Sequence, residues 1–390
     1  MHVEFHLRRL FIFFLAFVRL GLTAFGGPAM VVYIRDLAVR KKGWISEESF
    51  RHGVAVCQSI PGATAMQVAA YVGLRAGGPM GALAAYVGFG LPAILMMVAM
   101  AAFYGRVREL STVVSAFNGL HVIVVALVAN ATLGFGRTTI RKWQDGLLAA
   151  ANSGFLVARG SPIIAIVASA LMGLILYKES GPPSRDKGTD DNIALSKGLW
   201  MPLFLLLALL AGLLALYFWD RVLFDLSVVM LKVDLFAFGG GYCSVPLMLH
   251  EIVDVRHWMD SKTFMDGIAL GQATPGPIVI TATFVGYLIA GLPGAVVGTV
   301  SIFTPSLVIL TAVVPYFDRL QWNPLFRRCL RGALVSFVGL LLAVTIQFSM
   351  AIQWDAVKVL MATLAFFALQ SRVDILWVVL IGAGVAAVML

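Results

Sequence analysis

The sequence predicts an all-α fold, a polytopic helical membrane protein built from two inverted repeats with broken or re-entrant helices. Three observations carry this prediction. Of 390 residues, 60% are hydrophobic and 13% charged, about half the charged fraction of an average soluble domain. One unit recurs along the chain at a constant offset of 213 or 214 residues. Pro and Gly elements also interrupt apolar runs that approach the ~20 residues needed to cross a bilayer.

The first apolar segment, 10–34, carries Arg19 and is broken six residues later at the FGG-Pro element that holds Gly26, Gly27 and Pro28. Its basic start and apolar run resemble a signal peptide. The FGG element recurs inside the chain, however, which argues for a retained segment. A loop at 35–52 containing "GWISEESF" leads to a second segment, 53–75, broken at Pro61-Gly62. A half-helix is expected to start after Gly62, with Thr64 in its first turn.

Further apolar runs, such as 113–135, follow before residues 178–198, which hold eight charges with Pro and Gly and read as a solvated linker. Residues 1–177 form the first repeat on this reading. A single connecting transmembrane helix, 199–218, precedes the second repeat, 219–390. There Lys232 stands six residues before Phe238, which opens the FGG element with Gly239, Gly240 and Gly241, matching Arg19. "HWMDSKTF" matches the first loop. "GQATPGPIVITATFVGY" then carries the break Pro275-Gly276-Pro277, with a half-helix expected from about Ile278 and Thr274 as its N-cap.

One extra helix between two copies with an even number of crossings would turn the second upside down, a common transporter plan. Loop charges agree. Residues 35–52 hold five basic residues and their counterpart 249–266 holds two, whereas 105–112 holds two and 317–331 four. Opposite bias in matched loops implies opposite orientation. About thirteen crossings, or fewer crossings with re-entrant segments, both fit.

Non-helical backbone at membrane depth is tolerated only where protein or a water-filled cavity satisfies it. Broken helices present N-terminal amides, which attract anions. Arg19 and Lys232 at matched depth beside the glycine breaks suit a doubly charged anion. Gln58 and Gln272, each three residues before a Pro-Gly, can donate to oxyanions, as can Gln67 and Thr281. Asp234 is either the ion-pair partner of Lys232 or a protonatable coupling group.

Other classes are disfavoured. The net charge of +9 forms no basic face with interleaved aromatics, so no nucleic-acid partner is expected. The three cysteines show no metal or disulfide spacing, so neither metal nor cofactor is expected. There is no phosphate-binding GxxxxGK[ST] loop. His121, the one histidine well inside a hydrophobic run, has no companion motif for an intramembrane enzyme. A membrane scaffold would not need matched cations beside matched breaks.

The FGG–P element after a basic residue, the "GW" loop, "LFAFGGGYCSVPLM", "GQATPGPIVITATFVGY" and the tandem duplication resemble the chromate ion transporter family in its long two-domain form, over nearly the whole chain. Repeat 1 departs from the pattern, with Ala63 after Pro61-Gly62 where proline is usual and Met66 beside Gln67. The resemblance implies a secondary transporter of the plasma (inner) membrane that exports chromate, gives chromate resistance and takes sulfate as a similar oxyanion. The coupling ion, a different anion or small solute, and a homodimer stay open.

Overall fold

The computed structural model describes residues 2–25, 29–107, 110–177, 200–371 and 373–389. The expected linker at 178–198, and Gly26, Gly27 and Pro28, lie outside them. The described chain is helical throughout, with one isolated β-bridge. The first half runs α1 (His2–Thr23), α2 (Ala29–Arg35), α3 (Glu47–Ser59), α4 (Thr64–Val107), α5 (Ser111–Thr139), α6 (Trp143–Val157) and α7 (Pro162–Leu176). After α8 (Trp200–Trp219) come α9 (Arg221–Phe236), α10 (Ser244–Leu249), α11 (Ser261–Ala273) and α12 (Thr281–Val313). A short α13 (Phe317–Trp322), α14 (Pro324–Met350), α15 (Ala356–Gln370) and α16 (Ile375–Met389) complete it. Among the described residues five helices are long and apolar enough to cross a membrane, and shorter apolar helices accompany them. The chain is a multi-pass membrane protein by these lengths and this composition.

Helix α4 cannot be straight. Its 44 residues would reach about 66 Å, twice the ~30 Å hydrocarbon core. It turns at Gly78, whose φ of 69° is costly for any residue with a Cβ. Arms 64–77 and 79–107 then lie back to back, so close that a Cβ on Gly73 would sit 2.2 Å from the Gly81 carbonyl oxygen. Helix α12 does the same at Gly291 (φ 61°), with Gly286 against Gly294. Residues eight apart in a continuous helix would be about 12 Å apart.

Helix α3 also folds back. A Cβ on Gly53 would touch the Tyr71 ring, eighteen residues further on, and Gly267 of α11 meets Phe284 likewise. The 13 residues of α3 span only about 20 Å. The Pro61-Gly62 and Pro275-Gly276 breaks are therefore the tips of helical hairpins. The chain also folds back after α1 and after α9. Trp44 packs on Phe13 and Phe17, with ring centroids 4.4 and 6.0 Å apart, so the chain beyond α2 and the π-helical turn Asp36–Lys41 returns to the middle of α1. Lys232–Glu251 (2.6 Å) and Asp225–Arg256 (2.9 Å) tie α10 and its π-helical turn His250–Val255 along α9.

The two halves exchange their last helices. Helix α5 packs on α15 and α16, whereas α14 packs on α6 and α7, and α4 meets α12. Small residues permit the approach: a Cβ on Gly332 of α14 would lie 2.0 Å from the Ser169 carbonyl oxygen of α7. A polar clasp marks the same contact. Asp145 of α6, fully buried, accepts from the Tyr177 hydroxyl (2.7 Å), an Arg331 guanidinium nitrogen (3.0 Å) and the amides of Arg141 and Lys142.

Candidate functional site

The hairpin tips meet in pairs across the two halves. The Gly62 amide donates to the Ala237 carbonyl (2.9 Å), Pro61 and Phe238 form the antiparallel bridge, and the Gly276 amide donates to the Ala24 carbonyl (3.1 Å). Each Pro-Gly tip thus donates to a carbonyl one residue ahead of the other half's FGG sequence, as unwound backbone inside a membrane requires. Gly62 and Gly276 take φ values of 117° and 120°, a region essentially confined to glycine.

Next to these tips lies a cavity of about 550 Å³. Of the residues expected at a binding site, it gathers Gln58, Gly239, Gly240, Gly241, Gln272, Gly276 and Pro277. Thr64 and Ala65, at the N-terminus of α4, and Ile278, at the start of the 3-10 turn before α12, also line it. The first amides of such turns have no intrahelical partner and carry partial positive charge. Gln272 lies against the Tyr242 hydroxyl, and both residues line the cavity. Among the described residues no charged side chain lines it.

Several expected residues stand elsewhere. Gln67 is fully buried and its amide nitrogen donates to the Pro61 carbonyl, so it clamps the tip. Thr281 does the same for the Ile278 carbonyl (2.8 Å). Thr274 closes α11 and donates to the Gly271 carbonyl (3.0 Å), so it is not the N-cap expected for the next helix; Pro277 takes that place. Pro61, Gly62 and Pro275 shape the tips without lining the cavity. The amides of Gly62 and Gly276 are taken up by carbonyls, which removes them from the expected donors.

The charged residues also separate. Arg19 is exposed on α1 and does not line the cavity. Lys232, half-exposed, pairs with Glu251 rather than Asp234, because the fold-back of α10 brings Glu251 alongside. Asp234, buried, accepts instead from the backbone amide (2.8 Å) and the hydroxyl of Ser306. Among the described residues its carboxylate has no cationic partner. His121 pairs with Asp266 (2.6 Å), which also accepts from the Tyr104 hydroxyl (2.7 Å), a buried bridge from α4 and α5 to α11 outside the cavity.

Sequence reasoning missed one wall altogether. Asn130, Ala131, Gly134, Phe135 and Thr138 form a cavity-facing stripe on α5. Their spacing of about four residues is helical, but inside an apolar run nothing marked that face as polar-lined. The only hint was Asn130 itself, a carboxamide within a predicted span.

Similarity to known proteins agrees with this architecture. A family model described as chromate transporter matches residues 11–174 and again 224–388. An uncharacterized transporter of Methanocaldococcus jannaschii is 44% identical over 378 residues, covering 94% of this chain and 91% of the relative. Chromate transport proteins of Cupriavidus metallidurans and Pseudomonas aeruginosa are each 30% identical, covering 85% and 96% of this chain and 80% and 90% of the relatives. No solved structure matches. With two matches that together take up most of its length, the chain belongs to the chromate transporter family.

Proposed function

We propose that the chain is a secondary transporter that exports chromate, or a related tetrahedral oxyanion such as sulfate, from the cytoplasm across the plasma membrane, and so confers chromate resistance. The observation that carries this reading is the chemistry of the cavity. Helix N-termini, carboxamides and hydroxyls converge on it, and among the described residues no carboxylate does. Neutral donors with helix dipoles favour an anion without trapping it. The names of two relatives, chromate transport proteins, support the substrate class.

Direction follows from the membrane potential. With the inside negative, moving a dianion outward gains about 4.6 kcal/mol per 100 mV, twice the single-charge value. The two halves act as inverted repeats, residues 1–177 and 219–390, that rock about the shared tips in alternating access. Support comes from the opposed loop charges, the single helix α8 between equivalent halves, and the tips that pair across them. Asp234 is the coupling group: a buried carboxylate without a cationic partner among the described residues is where a proton can be taken up.

The test is flux. Inside-out vesicles containing the chain should accumulate chromate saturably, faster with an interior-positive potential, with sulfate competing. Cells expressing it should hold less chromate and grow at higher chromate, most clearly in low sulfate. Vesicles with no saturable flux of either ion would overturn the reading. A second reading, a different anion or a small organic solute, is favoured by the apolar part of the wall, Met30, Phe135, Leu341 and Ile375. Saturable flux of such a solute, with neither chromate nor sulfate transported or competing, would point to it.

A further inference from the structure

The cavity wall contributed by α5 contains a hydrogen-bond relay whose direction is fixed from outside. Arg137, two turns beyond Asn130 on α5, donates through Nη1 to Gln370 Oε1 (3.0 Å). Gln370, the last residue of α15 in the other half, donates through Nε2 to Asn130 Oδ1 (2.7 Å). Asn130 lines the cavity. Its Nδ2 makes no hydrogen bond among the described residues.

A guanidinium has donors only. Gln370 must therefore turn its oxygen to Arg137 and its nitrogen to Asn130. Asn130 must in turn present its oxygen to Gln370, which leaves its two N–H donors free for the cavity. The usual ambiguity of a carboxamide flip is removed by one group that cannot accept. We infer that Asn130 is an anion-binding residue of the transport cavity, and that Gln370 and Arg137 are positioning residues that fix it as a donor. This rests on the oxyanion reading of the cavity.

The decisive variant is Gln370→Glu. A carboxylate still accepts from Arg137, but it also accepts from Asn130. Asn130 must then turn its nitrogen away from the cavity and show an oxygen to the anion. Both hydrogen bonds survive and only the polarity reverses, so a merely structural role predicts no loss. Losing a donor to a charged ligand costs about ten- to a hundred-fold in affinity. The chromate KM of Q370E should rise by about that factor, with kcat and thermal stability kept.

Arg137→Met frees the pair to take either polarity. If both are equally populated, KM rises about twofold. R137K, which restores a donor-only group, should return it to the wild-type value. Should Q370E fail to reach the membrane, Asn130→Asp reads the same point, because it replaces the donors with a carboxylate and should raise KM at least as far. A well-folded Q370E or N130D with unchanged KM overturns the relay while leaving the transport reading intact. Wild-type vesicles without saturable chromate or sulfate flux overturn both.

Discussion

At the residue scale, the tips depend on positions where a side chain cannot stand. A Cβ on Gly62 would lie 1.8 Å from Ser306 Oγ, and one on Gly276 would lie 2.7 Å from Ala93 Cβ. Each also holds a backbone conformation costing a non-glycine residue about 1–3 kcal/mol. Gly62→Ala and Gly276→Ala should therefore lower the melting temperature in detergent and abolish flux together. A variant with wild-type melting would show that the tip can relax.

Lys232 has a different partner from the one its sequence position suggests. Its partner Glu251 is buried to within a tenth while Lys232 itself is half-exposed, so the pair contributes about 1 kcal/mol at most. Lys232→Gln should destabilise by about that amount and leave the chromate KM unchanged, and K232Q/E251Q should recover the loss. A tenfold rise in KM for K232Q would instead make it an anion ligand. Asp234→Asn keeps the shape of the Ser306 contact but removes the titrating proton. Flux should persist while its response to an imposed pH gradient disappears, as vesicle assays with and without that gradient would reveal.

At the element scale, the breaks were legible and their geometry was not. Pro61-Gly62 and Pro275-Gly276-Pro277 announce interrupted helices through proline chemistry alone. Whether such a segment continues across the bilayer or returns depends on Gly53 meeting Tyr71 and Gly267 meeting Phe284. Those contacts join residues that no periodicity links. The turn at Gly78 escaped notice for a related reason, since Gly77, Gly78 and Pro79 lie in an apolar run that reads equally well as a tolerated kink.

The α6–α14 contact likewise depends on one buried anion. Asp145 is held by four donors from α14, the Tyr177 hydroxyl and its own N-terminal turn. Substituting alanine would leave Arg331 and Tyr177 facing an empty site. Losing one partner of a buried charged pair costs about 3–5 kcal/mol. Asp145→Ala should thus show a marked drop in thermal stability, and an unchanged melting curve would remove the clasp from the account.

At the scale of the whole molecule, the exchange of helices makes the halves interdependent. Helices α6 and α7 bury their inner faces on α14, and α15 and α16 bury theirs on α5. A chain cut within the linker should therefore fail to accumulate as either half alone, yet regain flux when residues 1–190 and 191–390 are expressed together. Accumulation of a stable, monomeric first half would contradict this packing.

By itself the sequence determined the solvent, the duplication, the sites of helix breakage and, through its motifs, the family. Each of these is a property of composition or of neighbours within a turn or two, where backbone sterics and hydrophobicity act directly. The tertiary structure alone decided which partner each polar group takes. Lys232 found Glu251 instead of Asp234, Asp234 found Ser306, and Asn130 found Gln370, 240 residues away. In a medium without water a polar group must bond to whatever the fold brings within reach. That choice is made by how the hairpins return and how the halves interlock, and no local stretch of the chain encodes it.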